Sequence, residues 1–574
     1  MLKLGTIFSG IGAIEHALER LDISYKIEFA CDNGDVDILS KSIDDSVESI
    51  ELELEELSSL LVQETKNSDW LPQNLETVKS RFTEVKKKLL MDDNDRKSIR
   101  KIHDSYKESG LMNSNQKKTY GNLIKDLEVT SNDENIVYQY MKLYVKLDSD
   151  IKKVTGLSMK ETNFYATGGK KSITKYKSII KEIRLIRDEL SMLHERINTE
   201  VIREKVFSIS NLEKQKEYVD NLYKGRDAQN KVKQSYFANY EIDNSRFHWN
   251  VSFFNGKHFR NKIDLLVGGS PCQSFSLVGK QRGLSDTRGT LFYEFARIVS
   301  EVKPKVFIYE NVKAVLSNDN GNTWETMKQV FDDLGYNWYQ DTLNSKDYGV
   351  PQNRERIFVI GFRKDLICDR EFKFPDKIKL DKKMQDFLLD NVSGKYYLAK
   401  KGVDFVTSSK NLDKRYTQID GDVQLCQKKN QQFNWHGDFV FEEEGKQKAE
   451  LMQDLEKYFL SEKVRKYVLS TGTKGFYSKP KIDLEIARPL LTTMHKMHRA
   501  GIDNYVTTEG RIRKLTPREC LRLMGFCDSF KIVVSDTSAY QQSGNSIVVD
   551  VLMSLMKEII RVYPNILGGI INGD

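Results

Sequence analysis

The sequence contains few cysteines, few prolines and no long hydrophobic run. Its 574 residues include six cysteines and nine prolines, and no two cysteines form a C-x-x-C pair. Scattered cysteines argue against a disulfide framework or a structural zinc site and favour a reducing cytoplasm. Because no 18-residue apolar run and no basic segment followed by a long apolar stretch occurs, the sequence predicts neither a membrane span nor a signal peptide.

A strong excess of either charge is also missing. Lysine and arginine number 90 against 83 aspartates and glutamates, which gives a net charge of +7. This small excess permits a polyanionic partner without requiring one. Charged residues make up 30% of the chain, hydrophobic residues 39%, and the mean hydropathy is −0.54. We therefore expect a folded, soluble, helix-rich protein of roughly two to four domains.

Several segments have the texture of an α/β protein. A short apolar run at the start of the chain leads through the glycine turn SGIG into an amphipathic helix, AIEHALERL, which is the opening unit of a doubly wound sheet. Further continuous apolar runs favour buried parallel strands rather than half-exposed ones. The predicted strands are 2–8, 26–32, 262–269, 304–311 and 356–362.

Residues 36–230 have a different pattern. Apolar residues there recur at steps of three and four, which predicts a helical bundle or coiled-coil arm. These series are Val47, Ile50, Leu54, Leu57 and Leu61; Leu75, Val78, Phe82, Val85 and Leu89; and Tyr176, Ile179, Ile183, Ile186, Leu190, Leu193 and Ile197. A self-contained spacer bundle and an arm that contacts a binding partner both fit this pattern.

The glycine turn after the first strand is a candidate cofactor site. Glycines between a strand and a helix let the backbone approach a ligand closely, and an acid at the end of the next strand can accept hydrogen bonds from a ribose. Phe8, Gly10, Gly12 and Asp32 fit this arrangement and indicate a nucleoside-type cofactor such as S-adenosylmethionine. An ordinary tight turn is the alternative.

Three further motifs place reactive groups at strand ends. Cys272, in GGSPCQSF, follows a buried strand, and Glu310 ends the next one. Arg354 and Arg356 alternate just before a third strand, so they should point the same way. A nucleophile, an acid and an anion- or carbonyl-binding pair are one interpretation. A buried inert thiol, a helix cap and a solvated edge are the other.

The order of these motifs resembles that of a known family. FSGIG, GGSPCQSFS, RGTLFYEFARIV, ENVKAVL, DYGVPQNRERIFVIGF, KLTPRECLRLMGF and QSGNSIVVDVL are arranged as in DNA (cytosine-5) methyltransferases, most closely the bacterial restriction-modification enzymes. The resemblance covers about residues 1–35, 235–365 and 485–560. It implies a doubly wound, Rossmann-like, S-adenosylmethionine-dependent α/β domain.

The resemblance also implies a mechanism. The target cytosine is flipped out of the duplex, the Cys272 thiolate attacks C6, and protonated Glu310 binds N3 and the exocyclic amine. Arg356 holds the O2 side, Arg354 supports the loop, and C5 receives the methyl group from S-adenosylmethionine. The implied cofactor residues are Phe8, Gly10, Gly12, Asp32, Asn250, Val251, Pro271, Leu291, Asn545 and Ser546. The implied DNA-binding residues are Gln273, Ser276, Gly472, Thr473, Lys474 and Gly475.

The chain departs from the family pattern at three places. Asp32 is one methylene shorter than the glutamate usual at the ribose, and Asn250 stands where an aspartate is usual near the adenine. The all-α segment is an insertion after the second cofactor strand. We therefore expect a catalytic domain of 1–35, 231–365 and 486–574, a helical insertion at 36–230 and a smaller irregular target-recognition domain at 366–485.

Other functions remain open at this stage. A DNA adenine or N4-cytosine methyltransferase would carry a D/N/S-P-P-Y/F motif, which does not occur. A tRNA cytosine-5 methyltransferase of the same fold and a non-catalytic DNA-binding or scaffold protein are the remaining alternatives. We expect double-stranded DNA as partner, a further DNA or protein contact through the insertion, no metal, no membrane, a monomer on DNA, and a location in the bacterial cytoplasm with the nucleoid.

Overall fold

The structure is a computed structural model. It describes residues 1–64, 70–126, 133–155, 169–270, 291–389, 398, 400–419, 423–426, 436–439, 484–486, 505–508 and 511–567. The chain divides into two compact units, which we treat separately. The first unit comprises residues 1–36 and 209–574, and the second comprises residues 37–208.

Strands occur only in the first unit among the described residues. Seven of them form one sheet in the order β3-β2-β1-β4-β5-β7-β6, and two separate pairs are β8 with β9 and β10 with β11. The strands are β1 (Leu2–Ile7), β2 (Tyr25–Cys31), β3 (Phe247–His248), β4 (Leu265–Gly268), β5 (Val306–Val312), β6 (Tyr336–Asn344), β7 (Glu355–Arg363), β8 (Thr417–Ile419), β9 (Gly437–Phe439), β10 (Tyr505–Thr508) and β11 (Arg511–Lys514).

Helices occur in both units among the described residues. They are α1 (Ala13–Arg20), α2 (Val47–Glu64), α3 (Trp70–Lys86), α4 (Asp93–Glu108), α5 (Ser114–Asp126), α6 (Glu134–Thr155), α7 (Gly169–Ser208), α8 (Leu212–Leu222), α9 (Lys231–Asn239), α10 (Leu291–Val302), α11 (Asn322–Asp333), α12 (Lys400–Val406), α13 (Ser409–Asp413), α14 (Pro517–Arg522), α15 (Asp536–Asn545) and α16 (Val549–Val562).

The sheet is mixed, so the prediction that 356–362 is a parallel strand is wrong. Strands β1 to β5 pair in parallel, but β7 runs antiparallel to both β5 and β6. A strand covered on both faces is a continuous apolar run whichever way it points, so composition could not give its direction. The sequence analysis also missed β6, whose exposed and partly exposed positions dilute its apolar pattern.

Side chains of the central strands alternate between two hydrophobic cores. In β5, Val306 and Ile308 face the core that contains α1 and α16, whereas Phe307 and Tyr309 face the core that contains α10 and α11. Helices therefore cover both faces of the sheet, as a doubly wound α/β arrangement requires. Each large side chain buried in this way contributes roughly 1.5–3 kcal/mol.

The C-terminal part of the chain closes onto the N-terminal helix. Both terminal nitrogens of the Arg20 guanidinium donate to the carboxylate of Asp550, at 2.9 and 3.0 Å, and one also donates to the carbonyl of Gly525. A fork-to-carboxylate pair fixes orientation as well as distance. The motif QSGNS, which immediately precedes α16, is thereby held beside the N-terminal strand.

The second unit is all helical where it is described and has its own hydrophobic core. The core takes residues from α2 to α7, and every member of the three apolar series except Leu61 is buried. This unit ends at Ser208, not at 230. Residues 209–230 group with the sheet, since the side chain of Asn230 caps α9 and donates to the carbonyl of Asp32 at 3.1 Å.

Candidate active site

Glu310 lies at the edge of the sheet against the backbone of the neighbouring strand. Register pairs Gly268 with Tyr309, which brings Gly269 alongside Glu310. A Cβ atom placed on Gly269 would lie 2.8 Å from the Oε2 of Glu310 and 3.2 Å from its carbonyl oxygen. Glycine at 269 therefore makes the space that the carboxyl group occupies.

Glu310 forms an ion pair with Arg356, because the two strands that carry them are adjacent. The Nε of Arg356 lies 3.0 Å from the Oε1 of Glu310, and both side chains are 13% exposed. Burial raises the pKa of Glu310, although Arg356 and Arg354 oppose the rise. A carboxyl group with a raised pKa beside a guanidinium can both hold a proton and release it, which is what a general acid requires.

Arg354 connects this pair to the C-terminal motif. Its Nη2 donates to the carbonyls of Gly544 and Ser546, at 3.1 and 2.9 Å, and the residue is only 3% exposed. Burial, and then repulsion by Arg356, lower the pKa of Arg354 to about 10. It therefore remains a cation at neutral pH and holds the loop that carries Asn545 and Ser546.

Cys426 contacts the same arginine pair, and sequence reasoning missed it. The Nη1 of Arg356 lies 3.4 Å from the Sγ of Cys426. The segment is brought there by backbone pairing: the N–H of Asn353 donates to the carbonyl of Gln424, and Gln352 and Gln424 form a bridge. Seventy positions separate Arg356 from Cys426, and no local motif signals the contact.

The loop that leads to Cys272 is fixed at its start by β5. The amide of Asn311 donates to the Tyr309 hydroxyl at 2.7 Å and to the carbonyl of Ser270 at 3.2 Å, while the Ser270 and Tyr309 hydroxyls are 2.8 Å apart. All three residues are buried. Cys272 follows two positions later, outside the described residues, as do Pro271, Gln273 and Ser276.

A cavity of about 450 Å³ of empty space adjoins Glu310. Its wall includes Phe8 and Gly10 from the first turn, Glu310, and Asn545 with Ser546 from the C-terminal motif. Four of the predicted cofactor residues therefore line one cavity together with the predicted acid.

The turn below this cavity has the form of a backbone cradle. Phe8 and Gly10 have positive φ angles of 53° and 55°, which is uncommon for a phenylalanine and points to a functional constraint. The N–H groups of Gly10 and Gly34 donate to the two oxygens of Asp32, at 2.9 and 2.8 Å. A carboxylate held here by two backbone N–H groups is the kind of acceptor to which ribose hydroxyls donate, so Asp32 fits a nucleoside cofactor.

The remaining predicted cofactor residues have structural contacts of their own. Asn250 accepts from the N–H of Ser252 and donates to the Tyr223 hydroxyl, and it lines a different cavity. The carbonyl of Gly12 accepts from the Tyr240 hydroxyl, and a Cβ atom at Gly12 would overlap that ring. Val251 and Leu291 belong to or pack against the core around α10. Their cofactor roles stay predictions.

Other parts of the predicted interface cannot be placed. Gly472, Thr473, Lys474 and Gly475 lie outside the described residues.

Within the described ranges, no three His, Cys, Asp or Glu side chains converge as metal ligands would. None of the described helices is long and apolar enough to cross a bilayer.

Comparison with known proteins accounts for the motifs and the site together. The model of the C-5 cytosine-specific DNA methylase family matches residues 211–561. The orphan methyltransferase M.SPRI of Bacillus phage SPR is 31% identical over 401 residues, which cover 58% of this chain and 90% of that protein. The type II methyltransferase M.HhaI of Haemophilus parahaemolyticus is 34% identical over 302 residues, covering 52% of this chain and 75% of that protein. The type II methyltransferase M.HpaII of Haemophilus parainfluenzae is 34% identical over 308 residues, which cover 53% of this chain and 74% of that protein. The chain belongs to the family of C-5 cytosine-specific DNA methylases, which use S-adenosyl-L-methionine.

Proposed function

We propose that this chain is a sequence-specific DNA cytosine-5 methyltransferase of a restriction-modification system, with Cys272, Glu310 and Arg356 at its reaction centre. The observation that carries the proposal is the double position of Glu310. Its carboxyl group is paired with Arg356 and also forms part of the wall of the cavity that Gly10 and Asn545 line. An acid placed beside both the target cytosine and the cavity of the methyl donor suits transfer of a methyl group to a carbon of the aromatic ring.

Cys272 is the proposed nucleophile. C5 of cytosine reacts poorly with electrophiles until a bond at C6 makes the ring enamine-like. The thiolate of Cys272 forms that bond with the flipped cytosine, since C6 cannot be reached inside the base stack. After the methyl group has been added and the C5 proton lost to a base, the bond between Cys272 and C6 breaks and the thiolate is restored.

Glu310 and Arg356 prepare the ring for this attack. Protonated Glu310 donates a hydrogen bond to N3 of cytosine. This bond stabilises the negative charge that the ring gains when the thiolate adds to C6. Its raised pKa favours the protonated form. Arg356, which already holds the Glu310 carboxyl group, binds the O2 side of the base, and Arg354 acts through the loop at Ser546.

The cofactor residues bind and orient S-adenosyl-L-methionine, which supplies an electrophilic methyl group when bound. Phe8, Gly10, Asn545 and Ser546 form the cavity wall, and Asp32 holds the turn and offers acceptor oxygens to a ribose. The roles of Gly12, Asn250, Val251, Pro271 and Leu291 belong to the same proposal.

DNA reading is assigned to the lobe at 366–485. Lysines there would position phosphates and a few polar side chains would read base edges. Gln273, Ser276 and Gly472–Gly475 are the proposed DNA contacts of the two loops. The helical segment is proposed to be an inserted domain that folds around its own core.

The test is methylation of duplex DNA with labelled S-adenosyl-L-methionine, followed by mapping of modified bases. We expect 5-methylcytosine at one short sequence with the wild type and none with Cys272→Ala. N6-methyladenine or N4-methylcytosine as the product would refute the proposal, and so would normal methylation by Cys272→Ala. Transfer of the label to tRNA and not to DNA would identify an RNA substrate.

A further inference from the structure

Charge is unevenly distributed in the helical unit of residues 37–208. Helix α2 contains six glutamates and no lysine or arginine. In contrast, α4 and α5 are rich in lysine, as are the C-terminal half of α6 and the N-terminal half of α7. We call these four helical segments the basic tip. Helices α4 and α5 lie within residues 93–126, and the segments of α6 and α7 are residues 145–155 and 172–187. The unit as a whole is near neutral, so this is a separation of charge and not an overall excess.

The segments of the basic tip are held together by inward-facing acids. Asp95 of α4 accepts from the Tyr176 hydroxyl of α7. Asp150 of α6 accepts from the Gln116 amide of α5 at 3.0 Å and from the Tyr120 hydroxyl. These bonds join α4 to α7 and α5 to α6, and all four helices contribute residues to the hydrophobic core of the unit.

Seven exposed lysines on the outer surface of the basic tip lack a carboxylate within ion-pair distance among the described residues. They are Lys97, Lys101, Lys107, Lys117, Lys118, Lys153 and Lys181. Lys97 and Lys101 stand four residues apart on one helix face, where like charges destabilise a helix.

Lysines elsewhere in the same unit are arranged differently. Lys41, Lys79, Lys87 and Lys88 each lie within 3.5 Å or less of a glutamate. These four lysines are paired, whereas the seven of the basic tip are not; Lys152 and Lys177 are the tip's paired lysines, and both contact Asp148. Unpaired cations concentrated on one structure attract a polyanion, and DNA phosphates are the polyanion that the enzyme meets.

We propose that the basic tip binds the phosphate backbone of duplex DNA and adds sequence-independent affinity to the methyltransferase. This inference rests on the proposed function, because that function supplies the DNA. Lysines act here as point charges toward phosphates and carry no information about base sequence. The contact should therefore strengthen binding to DNA with and without a methylation site.

The experiment compares two variants of the full-length chain. One carries Lys97→Gln, Lys101→Gln, Lys117→Gln and Lys118→Gln; its matched control carries Lys41→Gln, Lys79→Gln, Lys87→Gln and Lys88→Gln. Both remove four positive charges from the same unit, and glutamine is a good helix former. Affinity for a labelled duplex without a methylation site is measured by fluorescence anisotropy over a range of salt concentrations, with thermal unfolding as the check on folding.

We expect the basic-tip variant to lose at least tenfold in affinity and the control to lose little. Each phosphate contact removed should lower the slope of log K against log salt by about 0.9. Methylation at saturating DNA should be unchanged. Equal affinity and slope for the basic-tip variant and the wild type would overturn the inference, as would equal losses in the two variants. If the wild type methylates no DNA, the proposed function fails instead.

Discussion

Replacing Gly269 by alanine should slow methylation strongly without unfolding the enzyme. The new Cβ would lie 2.8 Å from the Oε2 of Glu310, whereas ordinary contacts begin at 3.4 Å. The carboxyl group must therefore retreat by about 0.6 Å or turn, and either movement disturbs its 3.0 Å contact with Arg356. A misplacement of about 1 Å at a reacting group can cost roughly 100-fold.

We therefore expect kcat/KM for DNA methylation to fall by roughly 10- to 100-fold. The free energy of unfolding should fall by only about 1–3 kcal/mol, the usual cost of overpacking. Steady-state methylation and urea unfolding measure the two quantities. Gly121→Ala is the matched control, since a Cβ on Gly121 in α5 meets nothing within 4 Å. Full activity of Gly269→Ala would show that the position of Glu310 does not govern the reaction.

Two further predictions concern buried groups. Burial raises the pKa of Glu15 from 4.5 to about 7. Between these pH values the folded state binds more protons than the unfolded state. The free energy of unfolding of the wild type should therefore fall as pH rises, by up to about 3 kcal/mol. Glu15→Gln should remove that part of the pH dependence in urea unfolding at pH 5.5 and 8; an unchanged dependence would contradict the assignment. Arg354→Lys loses the Nη2 group that donates to the Gly544 and Ser546 carbonyls, so the Kd for S-adenosyl-L-methionine without DNA should rise roughly tenfold by calorimetry. Arg363→Lys, at the other end of the same strand, should leave that Kd unchanged, and an equal effect of both variants would refute the prediction.

Strand-end chemistry was the part of the site that the sequence could predict. Glu310 follows an uninterrupted apolar run, and the glycines at 10 and 12 follow another, so both had to lie at the same edge of a parallel sheet. Gly10 and Glu310 line one cavity because β1, β4 and β5 are adjacent in the sheet. Gly12 does not line it, and the sequence analysis predicted no strand order.

Contacts between distant segments were beyond prediction from local pattern. Cys426 reaches Arg356 because a short segment pairs with Gln352, and nothing in its neighbours' composition announces this. The direction of β7 was lost for a related reason, since burial on both faces looks the same for parallel and antiparallel strands. The hydrogen bond from Asn250 to Tyr223, 27 positions away, was likewise not signalled by any local motif, and the cofactor role of Asn250 stays a prediction.

The central claim is that Cys272 attacks C6 of the target cytosine, and covalent trapping tests it most directly. In a duplex with 5-fluorocytosine at the methylated position, no C5 proton is available, so the thiol cannot be released by elimination. With S-adenosyl-L-methionine present, we predict a stable adduct whose peptide map contains Cys272. The adduct should persist in Cys426→Ser and disappear in Cys272→Ser. An adduct at Cys426, or no adduct under turnover conditions, would contradict the account.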